Sequence, residues 1–132
     1  MHQKIVYLFI FFMGMSCSKE KSEPELARRM IAGKTWYLDY TLQDNQIRSF
    51  VGKSTYFIEF KEDGKTNDAD GITGTYLLAF KNNHLTLFVT GTTQKGVATN
   101  YDYKIDKIRH ESLTLSYIQN NNLIQKIFTT TH

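Results

Sequence analysis

From Thr35 onward the chain alternates apolar and polar residues with period two, in short runs separated by clusters of Asn, Asp and Gly. A period of two puts every second side chain on the same face of a strand, so each run can bury one face. Trp36, Leu38, Tyr40 and Leu42 set this pattern against Tyr37, Asp39 and Thr41. It recurs over residues 46–51, 55–61, 75–80, 85–90, 98–106, 112–118 and 123–130. Gln43-Asp44-Asn45, Gly52-Lys53, Glu62-Asp63-Gly64-Lys65, Lys81-Asn82-Asn83-His84 and Asn120-Asn121-Asn122 read as the turns between runs. Residues 66–74 read as polar and irregular, and 91–96 as a loop.

Strands joined by short polar turns pair antiparallel, because a parallel pair needs a long crossover connection. The chain has no second helix to supply one. An open sheet of eight strands would leave two free edges, and closing the sheet removes them. The predicted fold is therefore all-β, an eight-stranded antiparallel up-and-down barrel, with a β-sandwich as the alternative. Glu59, Lys104 and Asp106 lie within the strands and argue against a lipid-facing, membrane-spanning barrel. Ahead of the strands, Pro24 near a helix start, Glu25 in the first turn and Gly33 beyond the end predict a short N-terminal helix over 25–32. Leu26, Met30 and Ile31 would pack from it onto the strands.

Catalytic and metal chemistry find little support. The sequence has no G-x-S-x-G, no Gly-rich phosphate loop and no Cys within the domain. His84, His110 and His132 share no spacing that would bring them together on a zinc ion. Asn67-Asp68-Ala69-Asp70-Gly71 lacks the alternating ligands and later Glu of a calcium loop and reads as a tight turn. The formal charge of +3 is scattered, with no basic block for nucleic acid. No cofactor, no metal and no enzymatic activity are expected.

Aromatic residues are the stronger signal. Alternation places Trp36, Tyr40, Tyr56, Phe60, Tyr76, Phe80, Tyr101, Tyr103 and Tyr117 on inward faces. Trp36, Ile58, Leu85, Leu87, Leu113 and Leu115 read best as plain core. A buried Tyr hydroxyl needs a partner, so many inward tyrosines suit a partly wet pocket better than a dry one. The nine aromatics are the candidate cavity lining. Phe57 and Phe88 point outward and would mark a protein contact if adjacent.

The N-terminus reads as an address. Lys4, the uncharged, mostly apolar run 5–15 and small Ser16 form a secretory signal, too short to span a bilayer, which takes about 20 residues. Cys17, the chain's only cysteine, follows directly and gives way to the charged run 18–24. This stretch resembles a bacterial lipoprotein signal. The resemblance implies cleavage between Ser16 and Cys17, an acyl anchor such as palmitate on Cys17, and the boundaries 1–16 signal peptide, 17–24 polar tether and 25–132 barrel domain. The short charged run after Cys17 also resembles those that route lipoproteins of Bacteroidetes to the cell surface.

A second resemblance covers residues 33–132. Gly33-Lys34-Thr35-Trp36 opening the first strand looks like the G-x-W start of lipocalins and of small lipocalin-like lipoproteins of Bacteroidetes. The Phe60–Gly64 hairpin, Gly74-Thr75-Tyr76 and the L-x-L pairs Leu85/Leu87 and Leu113/Leu115 fit as well. Lipocalins usually stack an Arg of the last strand over that Trp, whereas the one cation here on that strand is Lys126, and no long helix follows. The resemblance implies a lipocalin-like barrel anchored in the bacterial outer membrane, on the periplasmic side or the cell surface. It would bind a small amphipathic or hydrophobic ligand without catalysis. The alternative is a protein-interaction module of the cell envelope that uses loops 67–73 and 91–96 or a Phe57/Phe88 patch.

Overall fold

A computed structural model of the protein describes residues 23–53 and 55–131. It opens with one helix, α1 (residues 23–31), with Pro24 in the first turn, where its missing N–H costs nothing. Gly33, at φ +75°, takes the left-handed conformation that ends the helix. Ala27 and Ile31, one turn apart, are the buried stripe, whereas Leu26 is exposed. The buried face is therefore rotated from the expected Leu26 to the smaller Ala27, which joins Ile31 in the core.

The strands are β1 (Lys34–Gln43), β2 (Gln46–Ser49), β3 (Phe57–Phe60), β4 (Lys65–Asp68), β5 (Thr73–Lys81), β6 (His84–Thr92), β7 (Ala98–Ile108), β8 (Ser112–Gln119) and β9 (Asn122–Thr129). All neighbours pair antiparallel, and β9 returns to β1 through register pairs from Tyr37↔Thr129 to Gln43↔Ile124. That last pairing closes the sheet, so the fold is an up-and-down barrel and not a sandwich.

Eight strands make the ring, though not the eight read from the alternation. β2 pairs only with the second half of β1, while β3 pairs with its first half, Lys34↔Phe60 to Tyr37↔Phe57. The two are one barrel strand interrupted by residues 50–56. The missing strand is β4, in the segment expected to be irregular, where Thr66 and Asp68 face inward opposite Phe60 and Ile58. Its polar inward residues hide the period-two signal.

Local sequence fixes the turns. Asp44-Asn45, Asn82-Asn83 and Asn120-Asn121 all have positive φ at both residues, the requirement of a two-residue I′ hairpin turn that Asn and Asp meet most readily. These turns alternate between the barrel ends. α1, the Glu62–Gly64 turn and the Asn82-Asn83 turn lie at one end. The Asp44-Asn45 and Asn120-Asn121 turns, with loops 69–72 and 93–97, lie at the other.

Candidate functional site

The α1 end of the barrel is filled. Ile31, Trp36, Phe60, Leu87 and Leu113 are fully buried there, with Tyr76 and Leu78 nearly so. The Trp36 indole N–H donates to the Ile31 carbonyl at 3.1 Å, and the Tyr76 hydroxyl donates to the Lys61 carbonyl at 2.6 Å. Both polar tips are thus spent inside the protein. The cation beside Trp36 is Lys34, 5.7 Å from the ring centre, whose ammonium also donates to the His110 carbonyl at 2.8 Å. Trp36, Phe60 and Tyr76 are therefore core, not cavity lining, and leave no room for a ligand at this end.

The opposite end holds a cavity of about 120 Å³. Leu38, Ile58, Leu115 and Phe128 supply its apolar wall, and Asp68, Asp70, Tyr103 and Lys126 its polar one. An engineered apolar cavity of about 150 Å³ takes benzene, so this one suits a molecule of a few heavy atoms and not a lipid chain. Lys126 owes its inward position to strand parity. It stands opposite Leu115 in the register, between the inward residues Ile124 and Phe128 on β9. Its ammonium lies 5.3 Å from the centre of the Tyr117 ring. Burial pushes the Lys126 ammonium below its ordinary value, although Asp68 and Asp70 favour its charge.

Tyr101, Tyr103 and Tyr117 form one cluster beside this cavity. Tyr101 and Tyr103 stack with centres 5.4 Å apart, and Tyr117 meets Tyr103 edge-on at 5.4 Å. Burial pushes the Tyr103 phenol far above its ordinary value, with Tyr101 and Tyr117 adding to the effect, so it stays a neutral donor. The Asp68 carboxylate is held in place by its own loop, where Oδ1 accepts the N–H groups of Asp70 and Ile72, both at 3.0 Å.

Of the nine expected lining residues, Tyr56 and Tyr103 reach the cavity wall. Tyr40 does not even face inward. The register slips between Leu38 and Tyr40, so that Tyr40 opposes Ile127 and not the inward Lys126. A bulge of one residue flips every later side chain of a strand. Phe80 is inward but exposed, at the last turn of the α1 end. Tyr101 and Tyr117 pack on Tyr103 rather than on the cavity itself. Lys126, Asp68 and Asp70 stand outside the expected lining, since Asp68 and Asp70 read as a tight turn and Lys126 only as the cation in place of the lipocalin Arg. Parity on the last strand nonetheless puts Lys126 in the inward row with Ile124 and Phe128. Phe57 and Phe88 lie on β3 and β6, with β4 and β5 between them, so they form no shared patch.

A second, larger groove of about 590 Å³ runs over the outer face along the row Thr86, Lys104, Ser116 and Gln125. Its charges are already matched. Lys81 pairs with Asp102 at 2.7 Å, and Asp106 faces both Lys104 at 3.9 Å and the Gln125 amide at 3.1 Å. The mouth cavity, with an unmatched cation, is the better candidate site.

Cys17, the signal peptide 1–16 and most of the tether lie outside the described residues. The chain matches no protein-family model, no curated protein and no solved structure.

Proposed function

We propose that this protein is a lipid-anchored envelope protein of the lipocalin-like kind, carried by an acyl group on Cys17 in the bacterial outer membrane. It would bind a small amphipathic ligand in the barrel mouth without catalysis. The observation that carries the binding reading is the mouth cavity, with its apolar wall of Leu38, Leu115 and Phe128 and its polar wall of Lys126 and Tyr103. Polar groups placed at one side of an apolar cleft fix the orientation of a small ligand. The described chain begins at α1, which caps the filled end. A lipid just ahead of it would hold that end toward the membrane and turn the mouth away from it.

Methyl-resolved NMR of the protein against a library of small polar and apolar compounds tests this reading. Binders should shift the methyls of Leu38, Ile58 and Leu115 and leave Leu77, on the outer face, in place. Ala69→Trp, an exposed loop substitution at the cavity edge, should block those shifts without unfolding the barrel. A library that moves no mouth methyl would sink the proposal.

The interaction-module reading has its own support. Ile47, Val97, Ile118 and Leu123 are 71%, 59%, 74% and 61% exposed, and all sit on or beside the connections at the mouth end. Exposed aliphatic side chains at one end of the barrel, with Ile118 and Leu123 directly paired, suit a protein contact. Cross-linking from Val97 in intact cells, recovering one stoichiometric protein, would favour this reading over a small ligand.

A further inference from the structure

The mouth carries both signs of charge, and they do not neutralise one another directly. Among the described residues no ion pair reaches Lys126, although Asp68 and Asp70 line the same cavity of about 120 Å³. One oxygen of Asp68 is occupied by the backbone of its loop, which leaves the other for a partner. Lys126 is fixed on the facing strand wall, over Tyr117. A lone anion entering here would gain Lys126 and meet two carboxylates. A lone cation would gain the carboxylates and meet Lys126. A lone cation would face the partly desolvated Lys126 ammonium, and a lone anion the half-buried Asp68 and the exposed Asp70, so either meets like charge in the same small cavity.

We propose that the mouth binds a small zwitterion of free amino-acid size, its carboxylate on the Lys126 ammonium and its ammonium on Asp68 and Asp70. Such a molecule brings no net charge, satisfies both walls at once, and fits the volume. A short apolar side chain would lie against Leu38, Leu115 and Phe128, and Tyr103 lines the same cavity as a neutral donor. Bulky side chains are excluded by the cavity's size. The proposal rests on the mouth being a ligand site, and names what that site selects.

The test is a titration of the full protein with alanine, propionate and ethylamine, followed by NMR at the Leu115 methyls and the Lys126 side chain. Propionate lacks the ammonium and ethylamine lacks the carboxylate. Alanine should bind roughly tenfold or more tightly than either, because each control leaves one wall unpaired. Lys126→Met and Asp68→Asn should each remove that preference. The Asn substitution keeps an oxygen for the Asp70 and Ile72 N–H groups, so the loop remains folded. Should propionate or ethylamine bind as well as alanine, or should both variants keep the preference, the zwitterion assignment is wrong while the mouth remains a ligand site. If alanine, both controls and the neutral compounds of the library all leave the mouth unmoved, the ligand-site reading falls with it.

Discussion

Lys126 is the residue whose placement works against stability. Its neighbours in the inward row are Ile124 and Phe128, and burial lowers its proton affinity below the ordinary 10.5. Between that lowered value and 10.5 the unfolded chain binds more protons than the folded one, so this group's contribution to stability rises with pH. Below the window the buried charge is a standing cost. Lys126→Met is therefore expected to raise the unfolding free energy at pH 7, read from urea denaturation, by about 1 kcal/mol. Tyr103 has the opposite sign. Its folded value lies above 10.0, so its contribution is complete below pH 10 and declines above it as the unfolded chain ionises. Urea midpoints measured at pH 9 and pH 11 should fall for the wild type, and fall less for Tyr103→Phe. An equal fall in both proteins would remove Tyr103 from the account.

At the scale of elements, the alternation was legible wherever the inward residues were apolar. The first half of β1, together with β3, β5, β6, β7 and β8, could be read this way, and so could the Asn-rich turns, whose positive φ values reward the residues found there. β4 was not legible, because Thr66 and Asp68 hold its inward positions. Nor could alternation reveal the slip after Leu38, since a bulge leaves the composition of a strand unchanged while reversing its faces. The candidate site suffered most from both, losing Tyr40 and gaining Asp68. One close approach can be tested directly. Gly74 on β5 pairs with Gly91 on β6, and a Cβ at Gly74 would collide with the Thr90 carbonyl and the Gly91 backbone. Backbone cannot yield as a flexible side chain can. Gly74→Ala should cost about 3 kcal/mol by chemical denaturation, although Ala elsewhere in a strand outperforms Gly.

For the whole molecule, pairing of β9 with β1 closes the main ring, and the short β2, paired with β1 alone, is the edge left open. Phe128 joins that seam to the core and faces the mouth cavity. Phe128→Ala should cost about 3 kcal/mol or more, with the whole barrel unfolding in a single transition. Phe88→Ala, on the outer face opposite Leu77, should cost under about 1 kcal/mol. The same closure divides the interior into a filled end capped by α1 and an end with a small cleft, and function is assigned to the second. Native mass spectrometry of the protein purified gently from its own host tests that assignment most directly. The account expects a retained small molecule on the wild type, and its loss from Ala69→Trp with the fold intact. A wild-type protein that carries no small molecule and takes up none from the amino-acid pool, while holding a protein partner, would contradict it.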